Sequence, residues 1–69
     1  MYKTDSDKLR YKISEKGLSL EDVAMFLGID RATLYRRIKN NSLRISDMQK
    51  ITEILCLSGE EAKNIFLAS

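Results

Sequence analysis

The sequence has no histidine, proline or tryptophan, and it contains a single cysteine among its 69 residues. One cysteine excludes an internal disulfide, and the lack of histidine leaves too few ligands for a structural zinc site. No glycine-rich phosphate loop or nucleophile motif is present either. We therefore expect no catalytic residue, no metal site, no cofactor and no small-molecule ligand, and we predict that the protein is not an enzyme.

Long apolar runs are also missing. The longest, "AMFLGI", is far too short to cross a membrane. The charged N-terminus, "MYKTDSDKLR", lacks the apolar core of a signal peptide. These features predict a cytoplasmic protein without a membrane partner.

The composition is that of an ordinary globular chain, with 43% hydrophobic and 32% charged residues. Its length fits one domain spanning residues 1–69. A chain this short buries only about 60% of the surface that its unfolded form exposes, so its core is small. Because proline is absent and glycine is scarce, the composition favours an all-α bundle.

Helix caps and apolar spacing predict five helices. The second carries a buried stripe of Leu20, Val23, Ala24 and Leu27. Cys56 is expected on the fourth helix as a buried or half-buried residue. The first three predicted helices run from about Asp5 to Lys16, from Leu20 (cap Ser19) to Leu27, and from Arg31 (cap Asp30) to about Asn40. The fourth begins after a cap at Ser46, and the fifth after a cap at Ser58.

Gly28 interrupts the otherwise helical stretch "VAMFLGIDRATLYRRI". Glycine costs about 1 kcal/mol relative to alanine inside a helix, so its presence indicates a break. A tight turn there requires positive φ, which glycine adopts without steric cost. The small side chain of Ala24 lets the following helix approach closely, and Ile29 fills the corner. These residues predict a helix-turn-helix.

Positive charge is concentrated just after this turn. Residues 30–44 carry five basic side chains against Asp30 alone, whereas residues 1–29 are balanced and residues 45–69 are net negative. Such a run is either a solvated face, with arginines free or paired to Glu15, Glu21 or Asp22, or a surface for an anionic polymer. With Leu34 and Ile38 pointing inward, an outward stripe follows at helical spacing. This stripe contains Ala32, Tyr35, Arg36 and Lys39.

The segment "LEDVAMFLGIDRATLYRRI" resembles the Cro and phage-repressor class, also called lambda-repressor-like or XRE-type helix-turn-helix proteins. The resemblance extends over residues 5–68, and it implies a compact five-helix lambda-repressor-like bundle. One departure is Arg37, where many members bury an apolar residue; here the apolar residue is Ile38. The matching positions are Val23, Ala24, Leu27, Gly28, Ile29 and Leu34.

The resemblance implies that the third helix reads the bases of double-stranded operator DNA. Arginine can donate two hydrogen bonds to guanine, and alanine can touch a thymine methyl. Other polar residues nearby suit phosphate contacts, which position the protein without reading sequence. Predicted base contacts are Asp30, Arg31, Ala32, Tyr35 and Arg36. Predicted phosphate contacts are Ser19, Thr33, Arg37, Lys39, Asn41, Ser42 and Arg44.

Four apolar residues are candidates for a subunit or partner interface. Phe26 either packs on the N-terminal segment, against Tyr2, or meets a partner. Ile65, Phe66 and Leu67 either close the bundle or form a dimer interface.

Two functions remain open from the sequence. The first is a Cro-like phage or prophage repressor that binds its operator as a homodimer in the bacterial host cytoplasm. The second is an antirepressor, or modulator of repression, that binds a partner phage repressor. A third is an antitoxin or another small DNA-binding module, which the sequence favours less than the first two.

Overall fold

The computed structural model describes residues 2–69, and this part of the chain contains five helices and no strand longer than an isolated bridge. The predicted all-helical, five-helix architecture is confirmed. Four of the five predicted helices have the expected starts. The helices are α1 (Ser6–Glu15), α2 (Leu20–Leu27), α3 (Arg31–Lys39), α4 (Ile45–Ile54) and α5 (Gly59–Phe66).

Side-chain caps explain the helix starts. Asp5, Ser19, Asp30 and Ser58 each accept a hydrogen bond from the backbone N–H three residues later. Such caps satisfy donors that the first turn leaves without an intrahelical partner. The predicted cap at Ser46 is wrong.

Helix α4 instead starts directly after Arg44 because the carboxylate of Asp47 accepts a hydrogen bond from the Arg44 N–H at 3.0 Å. The same carboxylate accepts another from Arg37 Nη1 at 3.1 Å. The side chains of Arg37 and Asp47 are only 18% and 10% exposed. This ion pair fixes the first turn of α4 against α3. It uses Arg37, the position at which many members of the class that the sequence resembles bury an apolar residue.

The first four helices end in one common geometry. Each ends in a residue with positive φ, which is the second residue after the helix in α1, α3 and α4 and the first in α2. The N–H of the residue that follows it donates to the carbonyl five residues earlier. This is the Schellman arrangement, which satisfies carbonyls at the helix end. The positive-φ residues are Gly17, Gly28, Asn41 and Cys56. Cys56 thus lies beyond α4 and is exposed, contrary to prediction.

The core lies where α2 packs against α3 and α4, with α1 closing the bundle against α2 and α5. Its fully buried large side chains come from α1, α2, α3 and α4 and from the residue that directly follows α4. They are Leu9, Val23, Leu34, Ile51 and Leu55.

The two ends of the described chain are joined. Lys3 and Ala68 exchange backbone hydrogen bonds of 2.8 and 3.1 Å, and the Asp5 N–H donates to the Ile65 carbonyl. Lys12 of α1 also pairs with Glu61 of α5, and hydrogen bonds from Lys12 and then Ser58 lower the pKa of Glu61 to about 2. The first and last helices are therefore held side by side.

Gly28 has φ +74°, and a Cβ added there would meet nothing within 4 Å. The cost of Gly28→Ala is therefore conformational, and we expect it to lower the free energy of unfolding by about 1–2 kcal/mol. Gly59→Ala is the matched control, because a Cβ there also meets nothing and φ is not positive. Urea denaturation should show unchanged or slightly higher stability for the control; equal losses in both variants would contradict this explanation.

Removing one partner of the Arg37–Asp47 pair leaves the other charge largely buried. We expect Arg37→Ala to lower the free energy of unfolding by about 2 kcal/mol, less than for a fully buried pair. Arg36→Ala, one residue earlier and exposed, should change it by less than about 0.5 kcal/mol. Similar effects of the two substitutions in thermal or urea unfolding would show that the pair contributes no specific stability.

Candidate nucleic-acid interface

The turn between α2 and α3 is built by three residues. Gly28 is in the left-handed region, at φ 74° and ψ 25°. The Ile29 N–H then donates to the Ala24 carbonyl at 3.1 Å. Ala24 is buried, and Ile29 packs against the core. This arrangement is the helix-turn-helix that the sequence predicts.

The turn leaves one side of α3 uncovered. Leu34 and Ile38 are buried, whereas the predicted outward residues all remain exposed. Within residues 2–69, no carboxylate lies within 4 Å of the charged groups of Arg31, Arg36 or Lys39. The pairing with Glu15, Glu21 or Asp22 considered from the sequence is not found. The exposed residues of this outward face are Arg31, Ala32, Tyr35, Arg36 and Lys39.

Asp30, the residue that caps α3, places a carboxylate at the N-terminal end of the outward face. Its Oδ1 accepts a hydrogen bond from the Thr33 N–H at 3.2 Å. Hydrogen bonds from Thr33, with a smaller contribution from the charge of Arg36, lower the pKa of Asp30. The group is therefore a stable anion, able to accept a hydrogen bond, such as one from a cytosine amino group.

Tyr35 lies in the middle of the face and is 40% exposed. The guanidinium carbon of Arg10, from α1, is 5.4 Å from the centre of its ring. Lys39 Nζ is 5.9 Å from the same centre. Both distances fall within the range of cation–π attraction, so the ring attracts both positive charges.

Several predicted phosphate contacts already have partners in the protein. The Ser19 hydroxyl donates to the Asp22 carboxylate and accepts from the Asp22 N–H. The amide of Asn41 accepts from the Thr4 N–H and donates to the Tyr2 carbonyl, which anchors the N-terminal segment. Arg37 is paired with Asp47. The capping role of Ser19 was predicted from the sequence, whereas the structural roles of Asn41 and Arg37 were not.

The other predicted phosphate contacts lie on the surface around α3. Lys39, Ser42 and Arg44 are exposed, and Thr33 is half-buried beside Asp30. The Ser42 hydroxyl lies 3.5 Å from the Arg37 carbonyl. Of this group, Lys39 and Arg44 supply positive charges without an ion pair among the described residues.

The four predicted interface residues fall into two groups. Ile65 and Phe66 are buried in the protein's own core, as expected of residues that close the bundle, and Phe66 also lines the cleft between α4 and α5. Phe26 is 61% exposed, and its neighbour Met25 is 71% exposed. The expected packing of Phe26 on the N-terminal segment is therefore not seen. Leu67 is also exposed and borders a cleft between α4 and α5.

The sequence prediction missed Arg10 and Lys3. Both line a pocket beside Tyr35 and Lys39. Because acidic residues close in the sequence balance their charges, the charge pattern did not single them out. Their position next to Tyr35 and Lys39 is seen only in the folded chain.

Two further searches covered the described residues. None of their helices is long and apolar enough to cross a membrane. They also contain no group of three or more histidine, cysteine, aspartate or glutamate side chains arranged to hold a metal ion.

Comparison with known proteins places this geometry in a family. The model of a family described as "Helix-turn-helix" matches residues 9–61, which is more than half of the chain. Neither the curated proteins nor the solved structures gave a match. The matched range contains both helices of the motif, the Gly28 turn and the exposed basic face. The chain belongs to the XRE-type helix-turn-helix family, the DNA-binding family of Cro and lambda repressor.

Proposed function

We propose that this protein is a Cro-like repressor of phage or prophage origin that inserts α3 into the major groove of operator DNA. The observation that carries the proposal is the outward face of α3, which presents positive side chains without ion pairs in the described structure. A major groove about 12 Å wide admits one α-helix, and the phosphates on both sides attract such a face.

Base recognition is assigned to the first two turns of α3. Arg31 and Arg36 offer bidentate donors for guanine, and the small Ala32 lets the helix approach the base edges. Tyr35 contributes an apolar ring edge, and Asp30 a hydrogen-bond acceptor. Lys39 and Arg44, with Thr33 and Ser42, would bind phosphates along the groove. Arg37, Ser19 and Asn41 are less suited to this role because their polar groups are already engaged.

A homodimer is the proposed binding form. The cleft between α4 and α5 has a volume of about 800 Å³ and is bordered by Met48 and by exposed Ile45 and Leu67. Large apolar side chains at a surface cleft lose contact with water when a second copy covers them. A two-fold dimer would place its two α3 helices about 34 Å apart, in successive major grooves of a palindromic operator. Such a regulator would act in the bacterial cytoplasm.

A second function is favoured by a different surface. Met25 and Phe26 are exposed side by side on α2, next to Leu18 and Asp22. An antirepressor, or modulator of repression, would use such an apolar surface to bind a partner repressor. It would bind DNA weakly by itself and would require Phe26 for its effect.

Salt dependence of DNA binding separates the two functions. A mobility-shift titration against DNA upstream of the protein's own gene should give specific complexes with the isolated protein. For roughly seven phosphates per dimer, the slope of log affinity against log salt should be near −6. Weak, sequence-independent binding, together with capture of a repressor that is lost in Phe26→Ala, would support the modulator instead.

Two arginine variants test the assignment of roles. Arg36→Ala should lower affinity and relax sequence preference by about 1–3 kcal/mol at one base pair, because a bidentate base contact is lost. Arg44→Ala is matched in charge and should weaken binding to all duplexes by a similar factor. Both can be measured by fluorescence anisotropy on preferred and substituted duplexes. Undiminished discrimination in Arg36→Ala would refute the base-reading role.

A further inference from the structure

The DNA contacts proposed above come from α3 and its flanking residues, yet one arginine of α1 lies against the same face. Arg10 and Lys39 stand over the ring of Tyr35 at 5.4 and 5.9 Å. We call these three residues the cation–tyrosine group. Arg10 also lines a second cleft that contains Arg31. Arg10 therefore lines clefts that Arg31 and Tyr35 of α3 also line.

The cation–tyrosine group lines a pocket of about 560 Å³. Lys3 lines it as well, which brings three cationic side chains to one pocket. Asp5 is the only acidic side chain among the residues that line it, and its carboxylate caps α1 by accepting from the Lys8 N–H. In the described part of the chain, none of the three cations has a carboxylate within 4 Å. Their charges are therefore not neutralised by an ion pair among residues 2–69.

Thr4, a residue of the pocket wall, has a buried hydroxyl without a partner in the described structure. Thr4 lines the pocket and is 9% exposed, and its hydroxyl makes no hydrogen bond to any of residues 2–69. Buried hydroxyls nearly always have a partner. The Thr4 oxygen has almost no accessible surface, so it is not a ligand for a group in the pocket. The positive charge of Lys3, Arg10 and Lys39 is the feature of the pocket that suits an oxyanion.

We propose that this pocket binds a phosphodiester of the DNA backbone, with Arg10 as the principal ligand and Lys3 and Lys39 beside it. The inference rests on the proposed function, because it requires α3 in the major groove. Tyr35 and Lys39 belong both to the outward face and to the pocket wall, so the pocket opens at the side of the inserted helix. The phosphates that border the groove come to that side.

Stacking and phosphate binding by Arg10 are compatible. A guanidinium stacks through its flat face, while its N–H donors point outward in its plane and match two phosphate oxygens. The guanidinium carbon of Arg10 lies 5.4 Å from the ring centre of Tyr35, and a stacked arrangement there would leave its N–H donors free for a phosphate. Because Arg10 comes from α1, outside the groove, it contributes to affinity and register on the duplex, and sequence preference stays with α3.

The test compares Arg10→Gln with Lys8→Gln. Lys8 lies on the same helix, but it lines a different cleft with Tyr11 and Glu61, so its substitution removes the same charge away from the pocket. Affinity is measured by fluorescence anisotropy over a salt series, for a preferred and a scrambled duplex. Arg10→Gln should make the log–log salt slope shallower by about 0.9 per bound protomer and weaken both duplexes by one factor. Lys8→Gln should leave the slope unchanged.

Two more variants keep the inference falsifiable if Arg10→Gln is unstable in a thermal melt. Arg10→Lys retains the charge and should restore the wild-type slope, and Lys3→Gln should make the slope shallower from the exposed N-terminal segment. A wild-type slope in both Arg10→Gln and Lys3→Gln overturns the inference, as does an effect of Arg10→Gln on the preferred duplex alone. If the wild-type protein binds neither duplex, the proposed function itself fails.

Discussion

The left-handed turn at Gly28 is the constraint on which the rest of the structure depends. It ends α2, and its backbone hydrogen bond from Ile29 to the Ala24 carbonyl brings the next residue down onto the core. Asp30 then starts α3 at once, so the two helices are joined by three residues. With no freedom in this short connection, burial of Leu34 and Ile38 determines which side of α3 faces outward.

The arginines of α3 differ in whether they have a partner in the protein. Arg37 points inward and holds α3 to α4 through Asp47, while Arg31 and Arg36, on the same helix, have no ion pair in the described structure. An exposed ion pair contributes little to stability, so leaving these arginines free costs the fold almost nothing. The same free charges are strongly attracted to a nucleic-acid backbone. Helix α3 can therefore pack firmly and still present an unneutralised surface.

Features determined by local sequence could be predicted, and those determined by tertiary contacts could not. The Gly28 turn and the caps at Ser19, Asp30 and Ser58 act over about one helical turn, and the structure confirms them. The start of α4 was mispredicted because it depends on Asp47, whose carboxylate is held by Arg37 ten residues earlier.

The candidate site divides in the same way. Helical periodicity predicts the exposed face of α3, including Tyr35 and Arg36. Periodicity cannot predict Arg10, because that residue lies on another helix and meets Tyr35 only in the folded chain. The structural role of Asn41 likewise depends on the N-terminal segment, to which its amide is bonded.

The most direct test of the account is an NMR titration of the isotope-labelled protein with the duplex that it prefers. The account predicts that the largest changes in backbone amide and arginine side-chain signals occur at residues 31–39 and at Arg10. Signals of Met25, Phe26 and the buried core should change little. Changes confined to the Met25–Phe26 surface, with the α3 signals unmoved at saturating DNA, would contradict the claim that the exposed face of α3 is the surface that meets DNA.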